Sequence, residues 1–119
     1  MMQMILFILH EKSKLMEVLD SWNNVGVNGI TILPSTSAGR LCAADLLRDD
    51  LPLMPSFDDL METPEIFNRT LITIVDGDEM VDRVIEATVS VVGDLDEPNT
   101  GILSVIPLNR VYGLNRKTG

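Results

Sequence analysis

The residue types able to break and make bonds are sparse and dispersed. His10 is the only histidine and Cys42 the only cysteine. A thiol nucleophile needs a neighbouring base, and a metal centre needs several Cys or His at ligand spacing; the chain offers neither. His10 falls where a strand pattern passes into a helix pattern, a place for a polar surface or capping group. What is concentrated is oxygen. Gly93-Asp94-Leu95-Asp96-Glu97-Pro98-Asn99-Thr100-Gly101 is an acidic loop bracketed by glycines. It is superficially like a calcium-binding loop, yet it lacks the full ligand pattern and the flanking helix pair. The chemistry on offer is binding, and the chain reads as a non-enzyme.

The elements that must hold these residues follow from hydrophobic period. Met4–Leu9 is a continuous apolar run of strand length, the pattern of a central strand covered on both faces. From His10 to Asn24 the period changes, and Leu15, Val18, Leu19 and Trp22 form a helical stripe that Gly26 stops. Val27–Pro34 reads as a second strand, with the proline confined to its end or to a sheet edge. Thr70–Val75 is a third. Asp76 with Glu79 has the form of a helix-start box, and Val81, Val84, Ile85, Thr88 and Val92 mark the helix that follows. Ile102–Leu108 is the last strand.

Between strands two and three, residues 35–67 break the rhythm, with the long loop proper at 36–67. Ser35-Thr36-Ser37-Ala38-Gly39 opens the stretch, which contains Pro52, Pro55 and Pro64. Leu41–Arg48 and Phe57–Met61 have room for a turn or two of helix each. A connection this long within one small domain is functional or mobile. Its apolar pieces, Leu46-Leu47 and Leu51 to Met54, serve either as anchors on a partner or as packing against the chain's own assembly.

The order β-α-β, long loop, β-α-β predicts a single domain over residues 1–119. Its fold is α+β: a ferredoxin-like βαββαβ sandwich, with a four-stranded antiparallel sheet and two helices on one face. Helices cover only one side of such a sheet. Because the strands are apolar nearly throughout, without the alternation of a half-wet sheet, the other side is expected to meet sister copies.

Bulk properties narrow the partners. The 119 residues carry a formal charge of −9, which argues against nucleic acid, since a binder needs a basic face. Seven carboxylates (Asp45, Asp49, Asp50, Asp58, Asp59, Glu62 and Glu65) lie between Arg40 and Arg69, with Arg48 the only cation strictly between them. No apolar run approaches bilayer length, and the apolar Met1–Leu9 lacks the basic start and cleavage site of a signal peptide. One cysteine allows no intrachain disulfide, in keeping with a cytoplasmic protein. The tail Asn109–Gly119 holds the basic concentration of the chain, Arg110, Arg116 and Lys117.

With that organisation, the chain resembles the nitrogen-regulatory P-II signalling proteins, in particular their divergent P-II-like relatives. The resemblance is carried by apolar strand one with the following Lys14-Leu15 and Val18, and by Gly26-Val27-Asn28-Gly29-Ile30-Thr31 entering strand two. Gly39-Arg40 at the start of the long loop and Gly93–Gly101 followed by Ile102–Val111 complete it. It implies a homotrimer with an adenine nucleotide in each inter-subunit cleft, acting on a partner protein such as a membrane transporter. Thr31 would bond the adenine, and Gly39 and Arg40 would face the phosphates. Gly93, Thr100 and Gly101 would frame the phosphate loop, glycine backbones approaching an anion closely and a guanidinium gripping it as a fork.

The departures from the family pattern also carry meaning. Ile102 stands at the family's basic loop position, Leu41 at its glutamine, and Gly113 and Asn115 at its C-terminal arginine pair, with Arg116 and Lys117 close by. Asp94, Asp96 and Glu97 would each repel a triphosphate by roughly 1–4 kcal/mol at contact distances and surface-like dielectric. A less charged ligand, such as a mononucleotide, or another anion is easier to accommodate. The alternative function is a ligand-free scaffold trimer that uses the long loop as its contact.

Overall fold

In the computed structural model, residues 1–36, 68–98 and 100–114 are described. The expectations for the 36–67 loop beyond Thr36, including Gly39, Arg40, Cys42 and both apolar anchors, lie outside these residues, as do those for Asn99, Arg116 and Lys117.

Among the described residues the order is β1 (Met2–Leu9), a 3-10 turn (Lys12–Lys14), α1 (Leu15–Asn24), β2 (Thr31–Ser35), β3 (Asn68–Asp76), α2 (Asp78–Val92) and β4 (Gly101–Pro107). The strands form one sheet in the order β2-β3-β1-β4, every neighbour antiparallel. This is the ferredoxin-like arrangement expected from the two β-α-β halves. No described helix is long and apolar enough to cross a membrane.

Side-chain alternation sorts the sheet into two unlike faces. Ile5, Phe7 and Leu9 of β1, with Leu71 and Val75 of β3, are buried with Val18 and Trp22 of α1 and Val81 and Val84 of α2. The rings of Phe7 and Trp22 pack tilted at 6.4 Å. The opposite face carries Met4, Leu6 and Ile8 of β1 and Ile72 and Ile74 of β3, all half-buried. Leu33, Ile102 and Ile106 on its flanks are 46, 54 and 40% exposed. β1 is therefore central but covered on one side, where its apolar run predicts cover on both. The apolar composition of the second face is the part of that expectation the fold retains.

Two local expectations need correction. Strand two begins at Thr31, not Val27. Val27 is buried in the core and its N–H donates to Trp22 O at 3.1 Å, finishing α1 instead of starting a ladder. The second helix also starts one residue later than a cap at Asp76 would place it. Gly77 is the N-cap, without a side-chain capping bond; Asp76 ends β3 and its carboxylate meets the Met1 ammonium at 3.2 Å. The glycine stop expected at Gly26 does form, with φ +105 after α1, and Gly93 ends α2 in the same way with φ +89.

Pro34 sits on the outer edge strand with its ring nitrogen turned away from β3. The Gly77 N–H to Met1 O bond of 3.0 Å sets the odd-numbered residues of β3 facing β1, so its even-numbered residues face β2. Thr31, Leu33 and Ser35 are their opposites, and Pro34 pairs with Arg69 at a position that forms no ladder bond. The missing donor costs the sheet nothing and blunts its edge.

Candidate functional site

The six expected site residues fall in three places. Gly39 and Arg40 lie outside the described residues. Thr31 is the exposed first residue of β2, opposite Ile72. Gly101 opens β4, on the other edge of the sheet, with Thr100 just before it, while Gly93 is the C-cap of α2. Three strand spacings separate those edges, at least about 14 Å. One chain does not bring Thr31 to the small loop.

Within the loop, each glycine has a structural reason. The Gly93 N–H closes α2 on Val89 O at 2.8 Å, with a left-handed φ that glycine adopts without strain. Gly101 has φ +148, and a Cβ there would stand 2.5 Å from Ile8 O and 2.7 Å from Phe7 Cε1. No side chain fits. The loop's polar groups also serve one another. Asp96 N–H donates to Asp94 Oδ1 at 2.9 Å, Glu97 N–H to Asp94 O at 3.0 Å, and the Thr100 hydroxyl faces Glu97 O at 3.0 Å and Leu95 O at 3.4 Å. Two backbone donors and one hydroxyl of the loop, those of Asp96, Glu97 and Thr100, are thus spent on the loop itself. Among the described residues, no three His, Cys, Asp or Glu side chains gather into a metal-holding group. His10 is half-buried at the end of β1.

Thr31 borders a groove of about 890 Å³ between residues 26–31, the last turns of β3 and the tail at Gly113 and Leu114. Its walls are polar and apolar in about equal measure, the apolar side chains being Met2, Val27, Ile30, Ile72, Ile74, Val75, Met80 and Leu114. The polar side chains reaching it are Asn28, Thr31 and Asp76. Its volume falls within the range of small-molecule sites, which pair apolar walls with a few convergent polar groups. The groove exists because β2 is short. Thr73 Oγ1 donates to Gly29 O at 2.6 Å, so a side chain replaces the backbone ladder that a longer β2 would make.

Sequence reasoning missed Asn28, Ile74, Asp76 and Met80 as groove residues. The one available signal was the Gly26 and Gly29 pair, read as an entry to strand two. The turn that buries Val27, and so truncates that strand, is a tertiary event. A second polar feature lies at the opposite end of the β2–β3 pair. The Ser35 and Thr70 hydroxyls are hydrogen-bonded to each other at 2.7 Å, and Asn68 Oδ1 is a buried side-chain oxygen without a hydrogen-bond partner. No protein-family model matches the chain, and no curated protein does.

Proposed function

We propose that the chain is a homo-oligomeric signalling module of the P-II-like kind. It would assemble as a trimer, bind a small effector in the cleft between subunits and pass its state to a partner protein through the 36–67 loop. The observation that carries this reading is the unequal sheet. One face packs on α1 and α2, while the other presents Met4, Leu6, Ile8, Leu33, Ile72, Ile74, Ile102 and Ile106. An apolar patch of this kind on a small domain marks an association surface.

Two further observations support an effector between subunits. Thr31 and the Gly93–Gly101 loop stand on opposite sheet edges, so a closed ring of copies is what would bring one chain's Thr31 near a neighbour's loop. The groove beside Thr31 gives such a cleft its depth. An effector seated there lies on the strand that leads into the long loop, where its contacts can bias that loop's order.

The scaffold alternative also has a specific observation behind it. Gly93, Gly101 and Thr100 are all accounted for by local structure, so the small loop does not require a ligand. Light scattering on the purified chain tests the common core of both readings. The expected mass is three times the 13.2 kDa chain. A monomer at micromolar concentration would remove both.

A further inference from the structure

The two edges of the sheet are finished differently. β2 turns Ile32 and Pro34 outward, and the proline has no N–H to offer a neighbour. β4 carries no such guard. The Leu108 N–H to Met2 O bond of 3.0 Å continues the β1–β4 register and turns the even-numbered residues of β4 toward β1. Gly101, Leu103 and Val105 therefore point N–H and C=O outward, and Pro107 its C=O alone. Among the described residues no strand lies on that side, and none of the seven β4 residues is charged. Sheet edges are ordinarily blunted by lysine, proline or a bulge; this one is left able to pair.

We propose that β4 is a docking edge for the β4 of a second copy, paired antiparallel about a two-fold axis at Ser104. The pairing goes beyond the reading above without resting on it, since it uses the backbone edge and not the apolar face.

The strand is complementary to itself in one register. With Ser104 opposite Ser104 of the second copy, Leu103 exchanges both backbone bonds with Val105 of that copy, and Val105 does the same with its Leu103. The Gly101 N–H meets the Pro107 carbonyl at each end, where the missing proline donor stops the ladder. On the open face Ile102 and Ile106, 54 and 40% exposed in one chain, become cross-strand neighbours. A slip of two residues either way sets an isoleucine against Ser104 and breaks up that pair.

Charge selects the same arrangement. Asp96 and Glu97 precede β4 and Arg110 follows it; all three are exposed and make no ion pair among the described residues. An antiparallel two-fold pair brings the acidic end of each strand beside the basic end of the other. A parallel pair sets like ends together. A foreign strand meets the same amides, but this match of side chains and ends is a property of β4 with itself. One strand edge is smaller than the roughly 1,200–2,000 Å² of a stable interface, so the pair is populated by concentration and is best trapped covalently.

Ser104 is exposed, and in a non-hydrogen-bonded pair the two Ser104 Cα atoms stand about 4.5 Å apart, within reach of a disulfide. The full chain is made as Ser104→Cys, Ile102→Cys and Ile106→Cys, each with Cys42→Ala to remove the only native thiol. Each is oxidised with glutathione disulfide at increasing protein concentration. Ser104→Cys should give a covalent dimer that rises with concentration. Ile102→Cys and Ile106→Cys should each stay monomeric alone on a non-reducing gel and cross-link when mixed. Val105→Pro deletes an outward donor and no bond to β1. Added to Ser104→Cys, it should cut the dimer about tenfold or more while circular dichroism still shows a folded chain. In the parent, amide exchange at Leu103 and Val105 should be fast in dilute solution and slow when concentrated. A folded Ser104→Cys without dimer, or equal cross-linking at all three positions, overturns the pairing and leaves the trimer reading as it stands. So does protection of both amides at every dilution, the mark of an edge covered by something other than a second β4.

Discussion

Trp22 Nε1 donates to Thr88 Oγ1 at 2.8 Å, and the same hydroxyl donates to Val84 O at 2.7 Å. One buried threonine thus joins α1 to α2 and satisfies the only polar atom of the largest core side chain. The relay gives the two helices a fixed register over the sheet, which apolar contacts alone specify less sharply.

Thr88→Val keeps the shape of the side chain but leaves the indole N–H buried and unpaired. A loss of about 1–3 kcal/mol is expected, the cost of stranding a buried donor. Urea unfolding of Thr88→Val, Trp22→Phe and the double variant checks it. The two single losses should sum to more than the double, because each removes the same bond. Strict additivity would mean that the bond contributes nothing.

Gly101 and Gly93 separate a steric role from a conformational one. Gly101→Ala drives a methyl group into Ile8 O and the Phe7 ring, and overpacking of this kind costs about 1–3 kcal/mol or more. Gly93→Ala meets nothing within 4 Å and must only hold φ +89 and ψ −164, a backbone region open essentially to glycine, at about 1–3 kcal/mol. Thermal unfolding should rank Gly101→Ala below Gly93→Ala, both below the parent. Equal stability for all three would leave ligand contact as the reason for glycine.

The sheet edges give the third expectation. β2 is five residues long and carries Pro34 on its outer side, while β4 runs Gly101–Pro107 without a charged residue. Pro34→Val restores an outward N–H and should promote edge-to-edge association with little change in Tm, since no ladder bond to β3 is involved. Turbidity and sedimentation at matched concentrations measure it. A soluble Pro34→Val with a markedly altered Tm would contradict the ladder assignment.

The fold was legible because its signals are local and repeated. Leu15, Val18, Leu19 and Trp22 cannot serve a strand, Val81, Val84 and Thr88 recur at helical spacing, and glycine ends both helices. The site was less legible because it depends on where one strand stops. Val27 and Ile30 have strand-forming side chains, yet Val27 is taken into the core beneath Trp22 and Gly29 is held by the Thr73 hydroxyl. Tertiary packing overrides propensity there. The start of the second helix was shifted for a related reason: the Asp76 carboxylate meets the Met1 ammonium, and Asp78 accepts from Gln3 Nε2 at 2.8 Å. Neither competitor is near in sequence. The glycine-bounded loop misled in the opposite direction, since Gly101 is demanded by Phe7 and Ile8 across a strand pair.

The apolar face gives the last and most exposed expectation. Leu6 lies at its centre, on β1, opposite Ile72 on one side and Ser104 on the other. Ile5, its neighbour in sequence, points the other way and is fully buried. Leu6→Lys should therefore leave a folded chain, because the long side chain can lift its ammonium into water above a half-buried position. Ile5→Lys should not fold, because it buries an unpaired charge beneath the helices. If sister copies cover the face, Leu6→Lys also places like charges against an apolar partner and releases monomers at concentrations where the parent is assembled. Circular dichroism separates the two variants by folding, and light scattering reads the assembly. A parent trimer that persists unchanged in Leu6→Lys would show that the subunits meet elsewhere, and would withdraw the sheet face as the surface on which the cleft is built.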